Sequence, residues 1–221
     1  MPIHPKYFVD FEENRIYHVY NRTNNKELLF LNDGHRNYFL KRYCEIVAPL
    51  VETFAWALLD NHFHLLIKVK SENVIKDFYQ NLELVDVELT SSEKRFLKSE
   101  IHLSELLEFT FKRFFQSYAQ SFNKDVGRKG NLFARPFKRR KVNEEKHLIQ
   151  TIIYIHVNAV KHRLIKDFTK YQWSSWHSFT GSEGFIAYDF IIDFFGNKNA
   201  FIETHHSHAQ KYFDYTSEMD E

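Results

Sequence analysis

Two apolar runs joined by a two-residue turn place the strongest constraint on how this chain can fold. Residues 53–59 and 62–69 are rich in aliphatic and aromatic side chains, which is typical of strands. Asp60 and Asn61, which lie between the runs, tolerate the positive φ angles of a tight turn. The sequence therefore predicts a β-hairpin, and with it a sheet against which the remaining elements must pack.

The spacing of apolar residues on either side of this hairpin predicts the other elements. The predicted strands lie at 16–21 and 133–142, and the predicted helices lie at 33–47, 74–84, 104–123 and about 144–164. Pro49 ends the first helix, and Asn143 is the expected N-cap of the last one. The order β-α-β-β-α-β-α is that of a ferredoxin-like split βαβ sheet with an added C-terminal helix, so the predicted fold class is α+β.

The length of the chain indicates one main domain. With 221 residues and 43% hydrophobic content, the chain can bury a single core. We expect the main domain to span residues 1–177 and to carry a charged segment at about 84–103, either an insertion or a mobile helix. Residues 178–221 are expected to form a C-terminal extension, with a packed helix followed by a polar, acidic tail.

Composition limits the kinds of cofactor and partner. Cys44 is the only cysteine, so an intramolecular disulfide and a thiolate zinc cluster are excluded, and any metal must be held by histidine, carboxylate or amide groups. No stretch is apolar over the length of a membrane span, and the first ten residues lack the apolar run of a signal peptide. The sequence therefore predicts a soluble, cytoplasmic protein without a membrane partner.

The charge is unevenly distributed, although its total is close to zero. The 30 Lys and Arg residues against 29 Asp and Glu residues give a formal charge of +1, which by itself does not indicate a polyanion partner. A short basic run stands out, made of Arg135, Lys138, Arg139, Arg140 and Lys141. Such a run can hold phosphate groups, and a solvated basic strand explains it equally well.

His62 and His64 form the first group of residues that could carry chemistry. They are two apart in a predicted strand, so their side chains leave the same face, opposite the face of Phe63. Two imidazoles side by side can chelate a divalent metal, although ordinary packing is the commoner role of such a pair. The chain contains a second pair of the same spacing, His206 and His208, in what is predicted to be a polar tail. The setting favours the first pair, because it lies in an apolar strand that is predicted to be at the centre of the sheet.

A polar stripe on the last predicted helix forms the second group. Its members recur at three- and four-residue spacing among apolar neighbours: His147, Thr151, Tyr154, Asn158 and His162. Tyr154 and Asn158 are one turn apart, so a phenol oxygen and an amide oxygen extend from the same side of the helix. A buried tyrosine with a hydrogen-bond partner is the simpler explanation of this pattern taken alone.

Four stretches, taken in order, resemble the HUH superfamily of single-strand endonucleases, specifically the REP-associated branch of the single-tyrosine transposases. They are YHVYNRTNN (17–25), DNHFHLLIKV (60–69), YIHVNAVKHRL (154–164) and YQWSSW (171–176). The resemblance spans about residues 15–177, and the agreement of four motifs in order is far more specific than any one of them. One departure is visible, because Ala159 follows Asn158 where this branch usually has a proline.

The resemblance implies a role for each matching residue. It implies that residues 1–177 are an HUH transposase-like catalytic domain in which His62 and His64 are metal ligands and Tyr154 is the nucleophile. It also implies that the side-chain oxygen of Asn158 is the third metal ligand. Two imidazoles and an amide oxygen suit Mg²⁺ or Mn²⁺ better than a closed structural zinc site. The implied activity is metal-dependent cleavage and strand transfer of single-stranded DNA through a 5′-phosphotyrosine intermediate.

The expected partner is single-stranded DNA or DNA hairpins formed by repeats. Cations beside aromatic residues are suited to unpaired strands. The candidate contacts to the DNA backbone are Arg22, Lys138, Arg139, Arg140 and Lys141. The sequence leaves open whether the chain acts as a monomer or as a homodimer.

Two other activities and a second nucleophile remain as alternatives. A catalytically inactive DNA-binding relative would keep the fold and lose turnover, for example because Ala159 misplaces Tyr154. An unrelated metallohydrolase would use His62 and His64 with a water nucleophile. Tyr118 is the rival tyrosine, but its aromatic neighbours on the same helix indicate a core position, and no ligand-type residue follows it at i+4.

Overall fold

The centre of the molecule is a four-stranded antiparallel sheet, seen in a computed structural model that describes residues 9–181 and 184–215. The strands are β1 (Ile16–Arg22), β2 (Val51–Leu58), β3 (His62–Val69) and β4 (Lys138–Val142). Their order in the sheet is β2-β3-β1-β4. The predicted hairpin is confirmed as β2 and β3, and β3 is one of the two central strands.

Helices cover both faces of this sheet. They are α1 (Asp33–Ile46), α2 (Glu72–Leu84), α3 (Ser91–Leu97), α4 (Leu103–Asp125), α5 (Glu145–Lys161), α6 (Trp176–Thr180), α7 (Tyr188–Phe194) and α8 (Lys198–Tyr215). Helix α1 connects the parallel strands β1 and β2, and α2 to α4 connect β3 to β4, which gives two interlocked βαβ units. The predicted α+β class and ferredoxin-like order are confirmed.

Strand β3 is buried on both faces, which explains its nearly continuous apolar sequence. Phe63, Leu65 and Ile67 point into a core shared with α1 and α4. Leu66 points the other way, into a second core shared with α5, α7 and α8. Because side chains alternate along a strand, His62 and His64 share the second face with Leu66.

Helix α5 differs slightly from its prediction at each end. The N-cap is Glu144 rather than Asn143, and the last helical residue is Lys161 rather than a residue near 164. At the C-terminus Arg163 has a φ of 60°, and the amide of Leu164 donates to the carbonyl of Ala159. This left-handed turn closes the helix earlier than the apolar spacing predicts.

The charged segment that was expected to be an insertion or a mobile helix contains the packed helix α3. Thr90 and Glu93 form a capping box at its start, and Phe96 is buried. The Glu93 carboxylate also forms a 2.9 Å ion pair with Arg113 of α4. The charges of this segment therefore serve partly to attach it to the main domain.

The C-terminal extension is more deeply integrated than the sequence suggests. His205 of α8 is completely buried, although it directly precedes the His206–His208 pair, which was predicted to lie in a polar tail. The acidic residues 218–221 lie outside the described part of the chain. Within the described residues, no helix combines the length and apolar character needed to cross a bilayer.

Candidate active site

Strand β3 presents His62 and His64 on one face, as the alternation predicts. The ring centres of the two histidines are 5.2 Å apart. Across the sheet, Tyr20 of β1 lies opposite His64, and Arg22 lies opposite His62. These four side chains therefore share the face that α5 covers.

Helix α5 brings its polar stripe against these histidines. The ring of Tyr154 lies 5.4 Å from that of His64, and the ring of His162 lies 4.6 Å from that of His62. Asn158 is one turn from both Tyr154 and His162 on the same side of the helix, which places it between these two contacts. The structure thus places His62 and His64 of β3 opposite the helix that carries Tyr154 and Asn158.

Unpaired polar atoms are buried at this junction. The Nε2 atom of His64 and both polar atoms of the Asn158 side chain find no hydrogen-bond partner among the described residues. Both residues are nearly or fully inaccessible, since His64 is 3% exposed and Asn158 is 0% exposed. Buried polar atoms without a partner are costly and uncommon, so a further group is expected to bind here.

A divalent cation fits these atoms. Within residues 9–181 and 184–215, no group of three or more His, Cys, Asp or Glu side chains is arranged to hold a metal ion. A site here therefore needs an amide oxygen beside the two imidazoles, and the Oδ1 atom of Asn158 can supply it. This donor set leaves positions open for water and phosphate oxygens, as Mg²⁺ and Mn²⁺ sites commonly do.

Burial keeps His64 in the neutral form that a metal requires. It holds the pKa of His64 well below the usual value of 6.5, and the neighbouring histidines and Lys161 lower the pKa further. A neutral imidazole retains a lone pair on one nitrogen, which is the ligand form of histidine.

Exposure increases from one end of the site to the other. Tyr154 is 0% exposed, His62 is half-buried, and His162 and Arg22 lie at the surface. The Nζ atom of Lys161 lies 5.4 Å from the centre of the Tyr154 ring. The site is therefore accessible at the end that carries His62, and Tyr154 lies at its buried end.

The basic run is divided by the alternation of β4. Lys138 and Arg140 pair with Tyr20 and His18 of β1, on the face of the candidate site. Arg139 points to the opposite face, where it is 3% exposed and bonded to Glu108 at 2.6 Å. Lys141 also points away from the site and pairs with Glu12 at 2.7 Å. Among the cations predicted to contact DNA, Arg22, Lys138 and Arg140 share the face of the histidines, and Arg139 and Lys141 do not.

Tyr118, the rival nucleophile, lies in the core between the sheet and α4. It is 1% exposed, and its hydroxyl donates to the carbonyl of Leu29 at 2.6 Å. Burial raises the pKa of the Tyr118 phenol far above its usual value of 10. The prediction that Tyr118 occupies a core position is therefore confirmed.

Sequence reasoning missed three residues at the site: His18, Tyr20 and Lys161. His18 and Tyr20 alternate on β1 and lie beside His64 because β1 pairs with β3. The alternation was visible in the sequence, but the register that sets Tyr20 opposite His64 was not. Lys161 follows Asn158 by three residues, so the helical spacing could have found it, but His162 was assigned to the stripe instead.

Comparisons with known proteins bear on the fold. No family model matches the sequence, and no curated protein matches it either. Among solved structures, the chain is similar to a REP-associated tyrosine transposase bound to a REP hairpin. The identity is 17%, the match covers 81% of this chain and 86% of that chain, and the TM-score is 0.49. The functional proposal is therefore argued from the residues of the site.

Proposed function

We propose that the chain is a metal-dependent single-stranded DNA endonuclease and strand transferase of the transposase type. The observation that carries this proposal is the placement of Tyr154 and His162 of α5 against His64 and His62 of β3. Beside these contacts, buried polar atoms of His64 and Asn158 lack a partner among the described residues. The four motifs that resemble single-tyrosine transposases contain these residues in the expected order.

In this proposal the side chains of His62, His64 and Asn158 hold Mg²⁺ or Mn²⁺. When bound, the metal would polarise the scissile phosphate and stabilise the charge that develops on it. The neutral imidazole of His64 and the amide oxygen of Asn158 supply the ligand atoms from the buried side, and His62 supplies one from the more exposed side. Water and phosphate oxygens would complete the coordination of the metal.

Tyr154 is the proposed nucleophile. Its phenol oxygen attacks the scissile phosphorus, so that a bond forms between this oxygen and phosphorus while the bond from phosphorus to the 3′-oxygen breaks. The phenol loses its proton and the departing 3′-oxygen gains one, which leaves a 5′-phosphotyrosine and a free 3′-hydroxyl. One phosphodiester replaces another, so a second 3′-hydroxyl can attack the tyrosine ester and join a new strand.

The proposed substrate is single-stranded or hairpin-forming DNA. Arg22, Lys138 and Arg140 lie on the face of the histidines, where they can contact phosphates as the strand enters. The Nζ atom of Lys138 lies 5.8 Å from the centre of the Tyr20 ring, which places an aromatic surface next to a cation. Bases of an unpaired strand stack on such surfaces.

A second candidate function is supported by the burial of the nucleophile. Tyr154 is 0% exposed, and α5 continues through Ala159 to Lys161 as a regular helix. A catalytically inactive DNA-binding relative would have this arrangement if α5 never released Tyr154. The two candidates differ in whether DNA becomes attached to the protein.

Covalent capture of DNA separates the candidates. The protein is incubated with a pool of single-stranded hairpin oligonucleotides and Mn²⁺ or Mg²⁺, and adducts are detected on a denaturing gel. We expect an adduct that EDTA and Tyr154→Phe abolish. Tyr118→Phe is the matched control and should leave the adduct unchanged, because Tyr118 lies in the core.

Two other results would contradict the proposal. Binding of the oligonucleotides without an adduct would support the inactive relative. Metal-dependent cleavage that continues in Tyr154→Phe would indicate a metallohydrolase with a water nucleophile.

A further inference from the structure

A second histidine holds His64 from the side of β1. The Nε2 atom of His18 lies 2.9 Å from the Nδ1 atom of His64, and both rings are buried. The ring centres are 5.0 Å apart, well beyond the distance between the bonded nitrogens, so the two rings meet edge to edge. This bond fixes the plane of the His64 ring as well as one of its nitrogens.

The direction of this hydrogen bond decides which nitrogen of His64 can bind a metal. If the Nδ1 atom of His64 carries the proton and donates to His18, the Nε2 atom of His64 keeps its lone pair. In the opposite arrangement the Nε2 atom would carry a proton that finds no acceptor among the described residues. A buried N–H group without an acceptor is rarely tolerated, so the first arrangement is favoured.

His62 has a similar hydrogen bond. Its Nδ1 atom lies 2.6 Å from the Oδ1 atom of Asn61, and an amide oxygen can only accept. His62 therefore donates from Nδ1, which leaves its Nε2 atom with a lone pair. Each histidine of the pair thus has an acceptor at Nδ1.

We propose that His18 is a positioning residue that holds His64 in the tautomer and ring orientation required for metal binding. The inference rests on the metal site of the proposed function. It assigns His18 an indirect role, because His18 acts on the metal through His64. Outer acceptors of this kind commonly change metal affinity by about 10-fold to 100-fold when they are removed.

Two substitutions of matched polarity test this role. Gln at position 18 can place its side-chain oxygen near the former Nε2 position, whereas Asn is one methylene shorter and ends near the former Nδ1 position. Mn²⁺ binding to the full-length protein without DNA is measured by titration calorimetry for the wild type, H18Q, H18N and H64A. We expect H18N to weaken Mn²⁺ binding by about 10-fold or more and H18Q to retain most of the affinity.

A second measurement reads the tautomer without any metal. Long-range ¹H–¹⁵N spectra of the histidine-labelled, metal-free protein report which ring nitrogen carries the proton. We expect wild-type His64 to be protonated at Nδ1, and H18N to give a mixture of tautomers. A purely structural role of His18 would lower the unfolding temperature of H18N without changing the His64 tautomer.

The outcomes distinguish this inference from the proposed function. If the wild type shows no Mn²⁺ binding that H64A removes, the metal site itself is overturned, and the role of His18 is overturned with it. If the wild type binds Mn²⁺ and H18N binds it equally well, the role of His18 alone is overturned. A proton on the Nε2 atom of wild-type His64 overturns it too, even if H18N fails to fold.

Discussion

Two pairs of bonded histidines are buried on the same side of the sheet, and their ring nitrogens are used differently. In the first pair, the Nε2 atom of His64 finds no partner in the described part of the chain. In the second pair, both nitrogens of His156 are bonded, at 2.9 Å to the Nε2 atom of His205 and at 2.8 Å to the Oγ atom of Ser175. The unsatisfied nitrogen indicates ligand binding, and the satisfied ring indicates a structural role.

The hydrogen bonds of the second pair have a fixed direction. The Nδ1 atom of His205 donates to the carbonyl of Phe201, so its Nε2 atom accepts from the Nδ1 atom of His156. The remaining nitrogen of His156 then accepts from the hydroxyl of Ser175. This chain of bonds connects α8 to α5 and requires both imidazoles to be neutral.

Stability is therefore expected to fall in mild acid. Burial lowers the pKa of His205 to about 3 and holds the pKa of His156 well below 6.5. Below pH 6.5 the unfolded chain binds protons that the folded chain excludes, so the stabilisation is complete above pH 6.5 and is lost progressively toward pH 3. Between pH 6.5 and pH 5, the free energy of unfolding should fall by about 2 kcal/mol for each histidine that stays neutral.

Urea unfolding at pH 7.5 and pH 5 measures this loss. Replacing both histidines by leucine should remove much of the pH dependence, because neither side chain can then bind a proton in the unfolded state. The control replaces His206, which is exposed on α8, by glutamine. This variant should keep most of the pH dependence. An unchanged pH dependence in the double variant would contradict the assignment. His206 and His208 of α8 also lower the pKa of His205, and His177 of α6 lowers that of His156, although burial is the larger cause in both cases.

At the scale of the elements, the sequence predicts the end of a strand or helix correctly where a local feature, such as a turn, sets that end. Strand β3 was predicted with its observed bounds because the turn at Asp60 and Asn61 fixes one end and burial on both faces keeps its sequence apolar. Strand β4 begins five residues later than predicted, because Pro136 cannot donate to the ladder and Phe133 forms only an isolated bridge with Thr23. The burial of His205 depends on contacts between distant helices, which no local pattern encodes.

Helix α5 offers a test of the position where the sequence departs from the transposases that it resembles. Ala159 is 1% exposed in the regular part of the helix. A proline here removes a backbone donor and clashes with the carbonyl of Ile155, so Ala159→Pro should lower the free energy of unfolding by about 3 kcal/mol. Ala159→Ser keeps the donor and should cost about 1 kcal/mol or less. Urea unfolding that gives the two variants equal stability would show that α5 accepts a bend at this point.

At the scale of the whole molecule, both faces of the sheet are packed, but their polar content differs. The face toward α1 and α4 is filled by aromatic and aliphatic side chains. The face toward α5 carries the two histidines, and the edge strand β4 adds cations beside them. The formal charge of +1 conceals this arrangement, because 29 acidic residues balance the 30 basic ones in the sum.

The alternation of β4 leads to a prediction for DNA binding. Lys138 and Arg140 lie on the face of the histidines, whereas Lys141 lies on the other face and pairs with Glu12. Each phosphate contact to a single strand contributes about 0.7 to the slope of log K against log salt concentration. Replacing Lys138 and Arg140 together by alanine should therefore reduce that slope by about 1.4, measured by fluorescence anisotropy with a single-stranded hairpin oligonucleotide at several KCl concentrations. Lys141→Ala removes a charge from the same strand and should leave the slope unchanged. If Lys141→Ala reduced the slope as much as either of the other substitutions alone, DNA would not be entering on the face that carries His62 and His64.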